Sequence, residues 1–305
     1  MRADTSREPA SAVLCVAAAA SLWGVLGVFS RSLSDAGLNP VQITEVRCLM
    51  AAACMLALLL AFDCKLLRIQ AKDAWMFIGT GLLSISMFSV LYFTATTMVT
   101  LSVAAVLLYT SPCFVMAMSV LLFGEALTHR KTAALVLAFA GCVLTSGLLG
   151  GGGAINLIGV AAGIGSGFGY ALYSIFGKYA LRKYHPFTVT FYTFLVSSVC
   201  LLPFSEPVVL VSAVSSSANV AIDVVALGIM CTSVPYFLYT YGLNRMDAGK
   251  AAVIAFVEPM VATLAGFAVF GEAVTIAGIA GILLILASVF LLNIEGESGK
   301  YSRNP

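Results

Sequence analysis

One carboxylate stands in an otherwise uncharged stretch. Residues 252–267 read AVIAFVEPMVATLAGF, with Glu258 followed directly by Pro259. A charged side chain at the centre of an apolar helix in lipid costs on the order of 2.5–3.5 kcal/mol on insertion scales, so such a group turns toward a polar interior or water. There Glu258 would contact an amine-bearing substrate or carry a coupled proton; the alternative is a structural hydrogen bond to a neighbouring helix. Pro259 removes a backbone donor and frees the carbonyl of Ala255, and Pro112 does the same for Leu108, so both prolines read as helix kinks beside a cavity.

A second charged pair, Glu45 and Arg47, lies near one end of another apolar run. Residues two apart on a helix point about 200° from each other, so these two cannot face one cavity. Arg47 could attract a carboxylate, or it could serve as an interfacial anchor with its head group snorkelling to water. Trp23, Tyr92, Tyr109, Tyr173 and Tyr239 also fall inside or near the inner parts of apolar runs. Each is a candidate for a binding wall or for the ordinary aromatic belt and core. Tyr109 precedes Pro112 by three residues and so shares roughly its helix face. His129 and His185 read as solvated turn residues. The eight cysteines show no CxxC spacing and read as small core residues. The sequence offers no HExxH, GxSxG or phosphate-binding loop, so no catalytic residue, metal or cofactor is expected, and an ATP-driven pump is disfavoured.

These residues sit in a chain that is 61% hydrophobic and only 10% charged, with a mean hydropathy of +1.03. Soluble proteins carry roughly 25% charged residues. The apolar residues come in continuous runs of about 20, the length of a helix that crosses ~30 Å of hydrocarbon. Barrel strands would alternate instead. The expected fold is therefore an all-α polytopic membrane protein with ten transmembrane helices, at 12–31, 41–61, 73–94, 101–123, 132–149, 156–178, 187–204, 220–242, 251–270 and 275–293. The first run belongs to an internal repeat and is read as a mature span rather than a cleaved signal.

Charge gives the orientation. Apart from Arg31 and Arg47, all of the 16 lysines and arginines fall on the same side of a ten-span chain. The positive-inside rule then places both termini in the cytoplasm of a cell-membrane protein. The scattering of these residues over turns gives no footprint for nucleic acid.

The chain also repeats itself. The phrase FGEALT at Phe123 returns as FGEAVT at Phe270, 147 residues later. At that offset Ala104-Ala105 falls on Ala251-Ala252, Pro112 on Pro259, Tyr92 on Tyr239 and Phe29 on Phe176. Five spans is an odd number, so the second half must enter the membrane from the opposite side. The expected domains are a five-helix repeat over 1–149, a Gly-rich linker over 150–155, a second repeat over 156–294 and a polar tail over 295–305. Inverted repeats are a hallmark of carriers that alternate access around a site near the midplane. The glycines of the sixth span, at 159, 163 and 167 and at 165 and 169, read as close helix packing.

The order and duplication of these pieces resemble the EamA family of the drug/metabolite transporter superfamily. The matching residues are Trp23-Gly24 with Arg31 after it, Asn39-Pro40 with Arg47, Ala104-Ala105 with Pro112 and Glu125, and Ala251-Ala252 with Glu258-Pro259 and Glu272. The resemblance implies a central cavity and the movement of small metabolites, often amino acids or related compounds and frequently outward. The second repeat departs from the first in having Tyr170-Ala171 for Trp23-Gly24 and Thr193 near the position of Arg47. The expected partners are a small-molecule substrate, membrane lipid and coupled protons, with a homodimer left open. A membrane enzyme or channel using Glu258 is the alternative. In the two FGE phrases, Gly124 and Gly271 are expected to end one helix while the following threonine caps the next. Glu125 and Glu272 are expected near the positive end of that next helix, as structural clasps on opposite membrane faces.

Overall fold

The computed structural model describes residues 10–148, 156–271 and 275–293. Glu272, the linker and the polar tail lie outside these. All regular structure among the described residues is helical. In chain order the long helices are α1 (Ala10–Asp35), α2 (Pro40–Phe62), α3 (Ala71–Met98), α4 (Leu101–Phe123), α5 (His129–Thr145), α6 (Leu157–Ala180), α7 (Pro186–Phe204), α8 (Ala218–Leu243), α9 (Ala248–Phe270) and α10 (Ile276–Asn293). Eight of them are long and apolar enough to cross a membrane, and α10 adds a shorter apolar segment, Ile276–Leu292. The remaining helix, α5, is 17 residues long and opens on His129, Arg130 and Lys131, which shortens its apolar part. A short helix, Pro207–Ser216, follows α7 where the sequence suggested only a connection.

Local chemistry explains the helix starts and stops. Asn39 and Gln42 form a reciprocal capping box at the start of α2, with Pro40 at the first helical position. Thr128 accepts the N–H of Lys131 at 3.2 Å, and Thr275 accepts that of Gly278 at 3.0 Å. The preceding helices end on Gly124 (φ 66°) and Gly271 (φ 65°), a left-handed conformation that glycine adopts without a Cβ clash.

Four interruptions shape the interior. The backbone of α4 breaks at Tyr109–Thr110, just before Pro112, and that of α9 breaks at Ala255–Phe256, before Pro259. The carbonyl of Ala255, freed by Pro259, accepts the N–H of Glu258 at 3.0 Å instead. In α3 and α8 the helix widens into π turns, over Gly79–Ser86 and Ile229–Ser233. Ser86 Oγ donates to the carbonyl of Gly81 at 3.2 Å, and Ser233 Oγ donates to that of Gly228 at 2.8 Å. Both bonds reach five residues back, and the two pairs are equivalent in the 147-residue repeat. Each half thus builds the same widened turn with the same glycine and serine.

The helices pair reciprocally. α1 packs against α8 and α9, whereas α6 packs against α3 and α4; α2 lies on α7, and α5 lies on α10. The glycines of α6 do what their spacing suggests. A Cβ on Gly159, Gly163 or Gly167 would strike α3, α4 or the turn between them at 2.6–2.7 Å, and one on Gly169 would press on Phe88 of α3.

Candidate functional site

A cavity of about 490 Å³ opens between α1, α2, α3, α4, α6, α8 and α9. Its mouth lies at the end carrying the α1–α2 connection, where Arg31 and Ser34 line it and are exposed. Its floor is made by Trp23, Tyr109, Tyr170, Tyr236 and Glu258. Beneath that floor lies a second cavity of about 30 Å³, room for about one water molecule.

Glu258 follows the break in α9, so its side chain leaves the helix at the level where α4 is also broken. Its Oε1 accepts a hydrogen bond from Tyr109 Oη at 3.1 Å, and its Oε2 accepts one from Tyr170 Oη at 3.5 Å. The carboxylate is thus tied to neighbouring helices and also borders the cavity. Gly24 of α1 makes room for it. A Cβ there would lie 2.7 Å from the Glu258 carbonyl oxygen and 2.9 Å from the Ala262 nitrogen.

Arg47 lines the same cavity from α2 and is only 7% exposed. Its Nε is buried without a hydrogen-bond partner. Glu45 points the other way, as helix geometry requires. It is fully buried and accepts a 2.6 Å bond from Ser198 of α7. A basic and an acidic side chain thus stand on different walls of one chamber, with aromatic rings between them. Trp23 packs edge-on against Tyr236 at 4.9 Å between centroids, and its buried Nε1 has no acceptor. Tyr92 lines the upper wall.

Tyr173 and Tyr239 border the lower cavity only. They close it, Tyr173 Oη sharing a hydrogen bond with Thr240 Oγ1 at 2.7 Å and Tyr239 Oη one with Ser174 Oγ at 2.8 Å. Pro112 borders this lower cavity, whereas Pro259 lines neither.

Tyr170, Tyr236 and Ser111 were not singled out from the sequence as site residues. The repeat held the signal: Tyr170 is the equivalent of Trp23, Tyr236 of Ser89 and Ser111 of Glu258. Every one of these borders one of the two cavities.

The reading of Glu125 needs correction. Its turn is as expected, but its carboxylate does not serve α5, which Thr128 caps. It crosses to the other half of the chain and accepts the N–H of Ala248 at 2.7 Å and of Gly249 at 3.2 Å, at the start of α9. Those amides are open because Asp247, at the cap position, makes no side-chain capping bond and instead pairs with Lys131 at 2.6 Å.

Comparison with known proteins agrees with this architecture. An uncharacterized transporter of Archaeoglobus fulgidus is 26% identical over 92% of this chain and 97% of its own length. A second from the same organism is 32% identical over 69% of this chain and 75% of its own. The uncharacterized transporter YvbV of Bacillus subtilis is 23% identical over 92% and 90%. A solved crystal structure superimposes with a TM-score of 0.80 at 23% identity, covering 97% of this chain and all of the other, which shows the shared fold. Residues 10–147 and 157–294 each match the EamA-like transporter family, and the chain, a multi-pass integral membrane protein, belongs to that family through both of its halves.

Proposed function

We propose that the protein is a secondary carrier that moves small metabolites, amino acids or related compounds, across the cell membrane by alternating access. Ten helices cross the membrane as two inverted five-helix repeats, with both termini in the cytoplasm. The cavity then faces the outside, and its closed floor faces the cytoplasm. Export is the preferred direction, on family resemblance.

The observation that carries this reading is the placement of Arg47 and Glu258 on different walls of one chamber that is open at a single end. A zwitterion fits that charge pattern, its amine toward Glu258 and its carboxylate toward Arg47, with Trp23 and the tyrosines against the remainder. The two tyrosine donors hold the carboxylate in place and leave lone pairs for a ligand N–H. Inversion is supported by the reciprocal pairing of α1 with α8 and α9 against α6 with α3 and α4.

The test is counterflow in proteoliposomes with a panel of labelled amino acids and amines. A carrier saturates and exchanges, a channel does not exchange, and an enzyme alters its substrate without moving it. For the substrate found, Glu258→Gln should raise the half-saturation concentration about 10- to 100-fold, the worth of one charge-assisted hydrogen bond. Normal exchange by Glu258→Gln for every amine tested would remove Glu258 from the site.

A further inference from the structure

We propose that Glu125, Lys131 and Asp247 form a latch that holds the floor side of the cavity shut, and that carriage through the site requires its release. This rests on the alternating-access reading above.

The repeat supplies the comparison that carries it. Tyr173–Thr240 and Ser174–Tyr239 are hydrogen-bonded pairs between α6 and α8 beneath Glu258. Their equivalents in the first half are Leu26–Phe93 and Gly27–Tyr92, between α1 and α3. These four line the open cavity. The same positions are therefore joined in one half and parted in the other. Ala248, at the start of α9, is 0% exposed, whereas its equivalent Leu101, at the start of α4, is 67% exposed and borders the open chamber. One molecule thus displays both the closed and the open form of a single repeated device.

What holds the closed form is chemically distinct from what surrounds it. Glu125 comes from the α4–α5 turn of the first half and binds two amides of the second. Lys131 starts α5 and bonds both Asp247 and the carbonyl of Ala126, the latter at 3.0 Å. Lys178 braces the same α8–α9 turn through the carbonyls of Leu243 and Met246. A carboxylate at a helix start is favoured by two N–H donors and by the helix dipole together. Lys131 itself is 6% exposed, so its ion pair is shielded on one side from solvent. The position equivalent to Lys131 in the second half is Gly278, so this ion pair is not duplicated. For the floor to open, α9 must leave Glu125 and Asp247 must leave Lys131.

The experiment is a distance measurement on the full chain in lipid nanodiscs, with the native cysteines replaced and spin labels at His129 and Asn244, both exposed. The parent protein should give one dominant short distance. Glu125→Ala and Lys131→Asp should each raise the ratio of a longer-distance population about tenfold, which corresponds to about 1.4 kcal/mol. Combining Lys131→Asp with Asp247→Lys should restore the short distance, which a damaged fold would not do. An unchanged distribution in both single variants overturns the latch, as does failure of the charge exchange to restore it. These readings are independent of transport: if the parent shows counterflow and the distances stay fixed, the latch alone fails. If the distances move and no panel compound exchanges, the carrier reading fails.

Discussion

Replacing Gly24 by alanine should disturb Glu258 through its backbone rather than its carboxylate. The added Cβ would sit 2.7 Å from the Glu258 carbonyl oxygen, 2.7 Å from Val261 Cβ and 2.9 Å from the Ala262 nitrogen. Two of these are backbone atoms of α9, so no rotamer change relieves them, and the helix must move by several tenths of an ångström. Overpacking of this kind costs about 1–3 kcal/mol. Gly27, one turn along the same helix, has nothing within 4 Å of its Cβ position. Gly27→Ala should therefore gain up to about 1 kcal/mol from helix propensity. The propensity gain is common to both alanines, so the two should differ by the overpacking cost, about 1–3 kcal/mol, in SDS-induced unfolding from mixed micelles, with Gly24→Ala the weaker. Equal stability of the two variants would refute the claim that α1 and α9 touch through this glycine.

Two further outcomes are expected. Ser233→Ala should cost about 0.5–1.5 kcal/mol, the worth of one hydroxyl bond to a π-turn carbonyl, and Ser86→Ala more than that, because Ser86 Oγ also shares a 3.0 Å hydrogen bond with Ser197 Oγ of α7. The double variant should show the sum, because the two turns lie in different helices and share no bonding partner. Asp73, 3% exposed, accepts bonds from Lys183 Nζ and Tyr184 Oη, both at 2.7 Å, so Asp73→Ala should lower stability by about 1–3 kcal/mol by removing two hydrogen bonds, one to exposed Lys183 and one to half-buried Tyr184; an unchanged unfolding midpoint would show that this contact between α3 and the α6–α7 turn is dispensable.

Helix positions were legible in the sequence because lipid imposes one rule on every span: about 20 apolar residues with their backbone bonds satisfied internally. The caps were legible for a similar reason, since Thr128 and Gly124 act within a few residues of themselves. The π turns of α3 and α8 were not read, although Gly81 with Ser86 and Gly228 with Ser233 recur at the repeat offset. Their effect depends on a bond five residues back that no common motif encodes. For the candidate site, burial of a charge pointed to Glu258, which borders both cavities, and the 200° rule separated Arg47 from Glu45. The partners of Glu258 were harder. Tyr109 was suggested by its relation to Pro112, but Tyr170 looked like one more residue of a glycine-rich packing helix. The destination of the Glu125 carboxylate was invisible, because it lies on a helix 123 residues away whose amides are left open by an ion pair elsewhere.

The glycine rows of α6 bear on rate as much as on stability. A helix that presents bare backbone to α3 on one side and to α4 on the other has no knobs for its neighbours to climb over. Such a surface works as a rail: parts can slide along it by small shear steps while contact is kept, and the closeness of the fit guides the direction of travel. In the carrier proposed above, shear along that rail would contribute to how quickly the two ends exchange roles.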